Sequence, residues 1–143
     1  MTGKREMSLL KIICCGLFIA CSLFVSGCTM LSDEKIKLRD LDFTVLSEEK
    51  IPEQLKTIIG ERKSEPFQIT YTDNNNLYIC IGYGEQKTGG YSIAVNELYL
   101  TDTNICVSTS LLGPDASEKS KKTASYPYIV IKTEYLEHTV LFE

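Results

Sequence analysis

The sequence predicts a mainly β domain: an antiparallel sandwich or partly closed barrel of about six or seven short strands, with one N-terminal amphipathic helix. Three observations carry this reading. Apolar and polar residues alternate with period two through most of the chain after Pro66, clusters of Asn, Asp and Gly punctuate the alternation, and a helical period occurs once, just before Pro66. At 143 residues, with 43% apolar and 24% charged side chains, the composition is that of one globular domain and too short for a two-domain cofactor architecture.

Leu41, Phe43 and Val45 alternate with polar partners as a short strand. Ile51, Leu55, Ile58 and Ile59 then recur at helical spacing. Pro52 suits a first turn, and Glu53 at one end with Arg62 and Lys63 at the other complements the helix dipole, so a helix is predicted from Pro52 to Lys63. Pro66 ends any continuation. Phe67, Ile69 and Tyr71, then Asp73 to Asn76, whose residues tolerate positive φ, then Leu77, Ile79, Ile81 and Tyr83 read as a hairpin. In a second hairpin Tyr91, Ile93 and Val95 lie on one parity and Leu98 and Leu100 on the other, which predicts a bulge at Asn96-Glu97. Asp102 to Asn104 turns the chain into Ile105, Val107, Thr109 and Leu111, a polar loop runs from Gly113 to Ala124, and Tyr126 to Lys132 and Thr139 to Phe142 supply the last strands.

Ahead of this domain Lys4, Arg5 and Lys11 flank the start of an apolar run, Ile12 to Val25, whose 14 residues suit an export signal and fall short of the roughly 20 that a spanning helix needs. The run ends in Val25-Ser26-Gly27-Cys28, which resembles the lipobox of bacterial lipoproteins. That resemblance implies a signal peptide over 1–27, a lipidated Cys28 as the mature N-terminus, a polar tether over 28–40 and a single domain over 41–143. Two or three acyl chains would hold it stably at the extracytoplasmic face of the cell membrane. Three bases and one acid leave with the leader, moving the formal net charge from −4 to −6 and making nucleic acid a poor partner.

Cys14, Cys15 and Cys21 lie in the leader, so Cys80 and Cys106 are the thiols of the domain. Each alternates opposite its apolar neighbours, Ile79 and Ile81 or Ile105 and Val107, which permits a disulfide across strands or between sheets; buried free thiols are the favoured alternative. The single imidazole, His138, falls in a predicted turn. One His and two strand-embedded thiols are not the material of an HExxH or paired CxxC metal site, and no spacing supports a Cys-His nucleophile pair. Gly82-Tyr83-Gly84 with Gly89-Gly90 is glycine-rich like a phosphate loop, but a strand follows where such a loop needs a helix N-terminus. The chain is therefore predicted to be no enzyme, with no catalytic residue, metal or cofactor.

Three segments stand in order along the domain: GYGEQKTGGYSI at Gly82 to Ile93, LLGP at Leu111 to Pro114 and YPYIVIK at Tyr126 to Lys132. Together they closely resemble the C-terminal domain of PrcB-type protease-complex subunits, over Phe67 to Lys132. The resemblance implies a non-catalytic accessory lipoprotein that assembles with an exported serine protease and helps to stabilise it. Thr88, Gly89, Gly90, Tyr91, Gly113, Pro114, Tyr126, Pro127 and Tyr128 are the matching positions. Loops of this composition at one end of a β scaffold would form a binding edge, because Tyr offers large contact area at low entropy cost. More weakly, the same loops resemble the three inhibitory loops of chagasin-like cysteine protease inhibitors, although Gln86-Lys87 stands where Asn-Pro is expected and the chain has no Trp. A protease inhibitor is thus one alternative, and an envelope glycan or small-ligand binding module another.

Overall fold

The structure, a computed structural model, describes residues 35–115 and 123–143. The leader, Cys28 and the tether up to Glu34 lie outside the described residues, as do residues 116–122 of the polar loop. Two four-stranded sheets face each other as a sandwich, with no closed barrel. In the first, β1 (Arg39–Asp40), β5 (Ser92–Leu100), β6 (Asn104–Leu112) and β8 (Thr139–Phe142) lie side by side in that order. In the second the order is β2 (Phe43–Val45), β7 (Tyr128–Glu134), β4 (Asn76–Tyr83) and β3 (Pro66–Asp73). All neighbours are antiparallel except β6 and β8, which pair in parallel from Asn104 opposite Thr139 to Val107 opposite Phe142.

Leu77, Ile79 and Ile81 of β4, Ile129 and Ile131 of β7, and Leu98, Ile105 and Val107 of the facing sheet fill the space between the layers. Each such side chain contributes about 1.5–3 kcal/mol relative to remaining exposed. The opposite parity of β4 and β7 is apolar too, and the helix α1 (Glu53–Arg62) covers it: Leu55 and Ile59, with Ile51 just ahead, pack on Phe67, Tyr78, Cys80 and Val130 as a second core. The molecule is thus three layers deep, helix on sheet on sheet. β4 is buried over six consecutive residues because it has a layer on either face.

Local chemistry accounts for the turns. Asn74 and Asn75 adopt φ of 46° and 64° in the two-residue loop between β3 and β4, the left-handed pair that matches strand twist in a tight hairpin. The register shifts between Val95 and Glu97, and this bulge brings Ile93 and Val95, then Leu98 and Leu100, onto the same inner face. Buried Thr101 closes the β5–β6 turn, its hydroxyl donating to the Asn104 carbonyl at 3.1 Å and accepting from the Asn104 N–H at 2.8 Å.

The fold class expected from the sequence stands, and two of its details are corrected. Strands number eight among the described residues, more than the six or seven expected. The tether predicted to run to Asp40 is drawn into the sheet at its end, where Arg39 pairs with Leu100 and Asp40 with Tyr99. The short strand expected from Leu41, Phe43 and Val45 forms as β2, an edge strand that leaves Phe43 and Val45 41% and 51% exposed while Leu41, just ahead of it, is buried. Of the two states open to the thiols, Cys80 and Cys106 take the favoured one, both free and buried. Cys80 faces α1, and Cys106 faces away from the core that holds its neighbours Ile105 and Val107, so both sheets stand between the thiols.

Candidate functional site

The loop segments meet at one end of the sandwich. Pro66 lies opposite Tyr83, Gly82 opposite Tyr128, and Ser92 opposite Leu112, so segments 84–91, 113–115 and 123–127 all leave their strands at the same end. A hydrogen bond of 2.8 Å between the hydroxyls of Tyr83 and Thr109 joins the two sheets there.

The first and third loops are locked together by backbone. The Gln86 N–H donates to the Ser125 carbonyl at 2.8 Å, and the Ser125 N–H returns to the Gln86 carbonyl at 3.0 Å, an isolated bridge outside the main sheets. The Ser125 hydroxyl adds a 2.7 Å bond to the Thr88 carbonyl, and the Gln86 amide donates to the Tyr83 carbonyl at 3.1 Å. The helix exit joins in, since the Glu85 N–H donates to the Ser64 carbonyl at 3.1 Å. Two glycines make the path possible. Gly84 (φ 71°) runs so close to Pro66 that an added Cβ would stand 2.9 Å from its ring, and Gly90 (φ 82°) occupies the left-handed region.

Tyr126 caps the assembly. It is 37% exposed, its hydroxyl donates to Glu85 Oε2 at 3.2 Å, and Lys63 Nζ sits 5.6 Å from its ring centre. The charge of Glu85 and that hydrogen bond raise the phenol above its ordinary range, so Tyr126 stays neutral and donating at physiological pH. This aromatic surface is thus fixed between one acid and one base.

Of the positions singled out in the sequence, Thr88, Gly89, Gly90, Tyr91, Gly113, Pro114, Tyr126 and Pro127 all lie at this end. Gly89 and Gly113 have nothing within 4 Å of an added Cβ, so only Gly90 of the Gly-Gly pair is required by its backbone. The Tyr126–Pro127 bond is trans. Tyr128 departs from the group: it opens β7 and packs half-buried against the helix-side core, where burial raises its phenol. Gln86 and Ser125, which fasten the loops, escaped the sequence reading because 39 positions separate them and neither has a local signature.

The remaining chemistry is sparse. Burial pushes the Cys80 thiol up to about 12, so it is no nucleophile at neutral pH. His138 stands in the β7–β8 turn, at the end of β7 away from the loops, and no cysteine lines the cavity beside it. No three His, Cys, Asp or Glu side chains among the described residues gather as metal ligands. What the loop end offers is a preorganised, glycine- and tyrosine-bearing contact surface.

No curated protein and no solved structure matches the chain. Residues 77–134, which run from β4 to the end of β7 and carry all three motif segments, match the family model described as PrcB C-terminal, the family that those segments resemble.

Proposed function

We propose that this protein is a non-catalytic interaction module of the cell envelope, anchored through lipid on Cys28 at the extracytoplasmic face. Its loop end docks on an exported protease, and the module acts as an accessory, stabilising subunit of that complex. The observation that carries the reading is the coincidence of the family match with the fastened loops: the segment 77–134 includes both sides of the Gln86–Ser125 bridge and the exposed Tyr126. Loops already held in one conformation lose little entropy on docking, which favours a stable subunit contact. The acidic domain and its predicted lipobox agree with an envelope role.

A photo-crosslinking side chain in place of Tyr126, in the full chain expressed in its own envelope, tests the docking. Capture of one peptidase that stays active and loses activity faster in cells lacking this protein is the expected result. Capture of a peptidase that is blocked would favour the inhibitor reading, and crosslinks to no protease would overturn both. Intact mass tests the anchor separately, since a mature chain starting anywhere but Cys28, or lacking acyl mass, rules it out.

A further inference from the structure

Along one side the sandwich is open, between the edge strands β3 and β8. A cavity of about 360 Å³ lies there, within the range of small-ligand sites. One wall is β3: Phe67, Ile69 and Tyr71 face α1, so the alternate residues Gln68, Thr70 and Thr72 face the cavity. His138 and Thr139 form the other wall, and Leu77, Leu136, Val140 and Phe142 make an apolar floor. A second cavity of about 540 Å³ adjoins it at Gln68 and continues past Tyr83 and Thr109 to Glu143.

Three properties define the occupant. No Asp, Glu, Lys or Arg side chain lines the 360 Å³ cavity, so no fixed charge there would compensate the desolvation of an ionic ligand. Gln68, Thr70, Thr72 and Thr139 make no side-chain hydrogen bond among the described residues, and each can both donate and accept. His138 Nδ1 is buried with no hydrogen-bond partner, although its backbone N–H is satisfied by the Leu136 carbonyl at 2.7 Å. A molecule fitting all three is neutral, carries hydroxyls around its rim and has an apolar face. A peptide strand added to β8 would be held by backbone groups and would not need the hydroxyl and amide ladder on β3.

We propose that this groove binds a neutral linear oligosaccharide. One sugar ring lies on Leu77 and Phe142, with its hydroxyls against Thr70, Thr72 and His138, and the chain continues past Gln68 into the second cavity. This is a second site, on the side of the sandwich, and it does not depend on the loop end binding a protease.

The test is calorimetric titration of the full chain in detergent micelles with cellotetraose, maltotetraose and chitotetraose, with tetragalacturonate as the charged control. At least one neutral tetramer should bind with a Kd of about 1 mM or tighter, and the charged one about tenfold or more weaker. Thr70→Val and Thr72→Val, near-isosteric and on an exposed edge, should each weaken that binding about tenfold with the thermal midpoint unchanged. Absence of binding by all three neutral tetramers, equal binding of the charged one, or binding indifferent to both valines would overturn the assignment. So would amide-exchange protection of β3 and β8 by unfolded, reduced casein with none by any sugar, which would make the groove a polypeptide site.

Discussion

Gly82 faces Phe67 across β3 and β4, and the phenylalanine ring occupies the space where any larger residue would place its Cβ. Gly82→Ala should therefore force the ring out of the helix-side core and destabilise the fold by about 1–3 kcal/mol, read from denaturant unfolding. Gly89→Ala, with open space around it, should change stability by less than about 0.5 kcal/mol in the same measurement. Sequence reading singled out the conspicuous Gly-Gly pair, yet Gly82 and Gly84 carry tighter constraints. Their reasons are the Phe67 ring and Pro66, both in a different strand, and no local pattern reveals a cross-strand neighbour. The thiols were half legible: alternation placed each opposite its apolar neighbours, but only the stacking of helix on sheet on sheet shows that those faces diverge. With its thiol pushed up to about 12, Cys80 should resist an aromatic disulfide reagent at pH 8 in the folded protein and react fully after unfolding, by absorbance.

Among the elements, α1 was the most legible, with predicted ends at Pro52 and Lys63 that became its two caps. The β3–β4 hairpin and the β5 bulge were legible for the same reason, since turn residues and parity switches are local signals. What α1 covers was not legible, because the apolar residues on both parities of β4 do not say which partner lies on which face. Leu55 is fully buried in that second core, and Leu55→Ala should cost about 2–5 kcal/mol in denaturant unfolding. The parallel placement of β8 beside β6 was equally hidden, because sequence alternation is the same in either direction. β8 leads into Glu143, which lies against Lys35 and receives the Tyr99 hydroxyl at 3.2 Å. The Lys35 ammonium holds the Glu143 carboxyl below the ordinary value of 4.5, so its contribution is present above that pH and fades as pH falls through the lowered value. The stability difference between the native chain and Glu143→Gln should accordingly vanish in acid, as urea unfolding from pH 7 down to pH 3 would show.

At the scale of the molecule, two kinds of surface are separated. The loop end gathers backbone-fastened segments from both sheets, and the open side between β3 and β8 exposes an uncharged ladder of Gln and Thr. The first was legible in the sequence through the shared Gly, Pro and Tyr composition of its loops, which pointed to a binding edge at one end of the scaffold. The second was illegible because its walls come from strands 69 residues apart, at Thr70 and Thr139. The lock on the loop end has its own test. Ser125→Ala removes the hydroxyl bound to the Thr88 carbonyl, so amide exchange over residues 86–91 should quicken while the core stays protected, with a stability loss of about 0.5–1.5 kcal/mol.

β1 joins its sheet through two paired residues, flanked by hydrogen bonds from the Leu38 and Leu41 N–H groups to the Leu100 and Leu98 carbonyls, at the far end from the loops. Under tension this strand should act as a mechanical fuse. A pull on the chain ahead of Lys35, resisted at the loop end, would part Lys35 from Glu143 and Leu38 from Leu100 and then peel Arg39 and Asp40 from β5, letting out slack at about 3.3–3.6 Å per residue while the two cores stay closed. A short early lengthening step before the main unfolding event, seen in single-molecule stretching, is the expected trace, and β1 would spare the rest of the sandwich small forces along the chain.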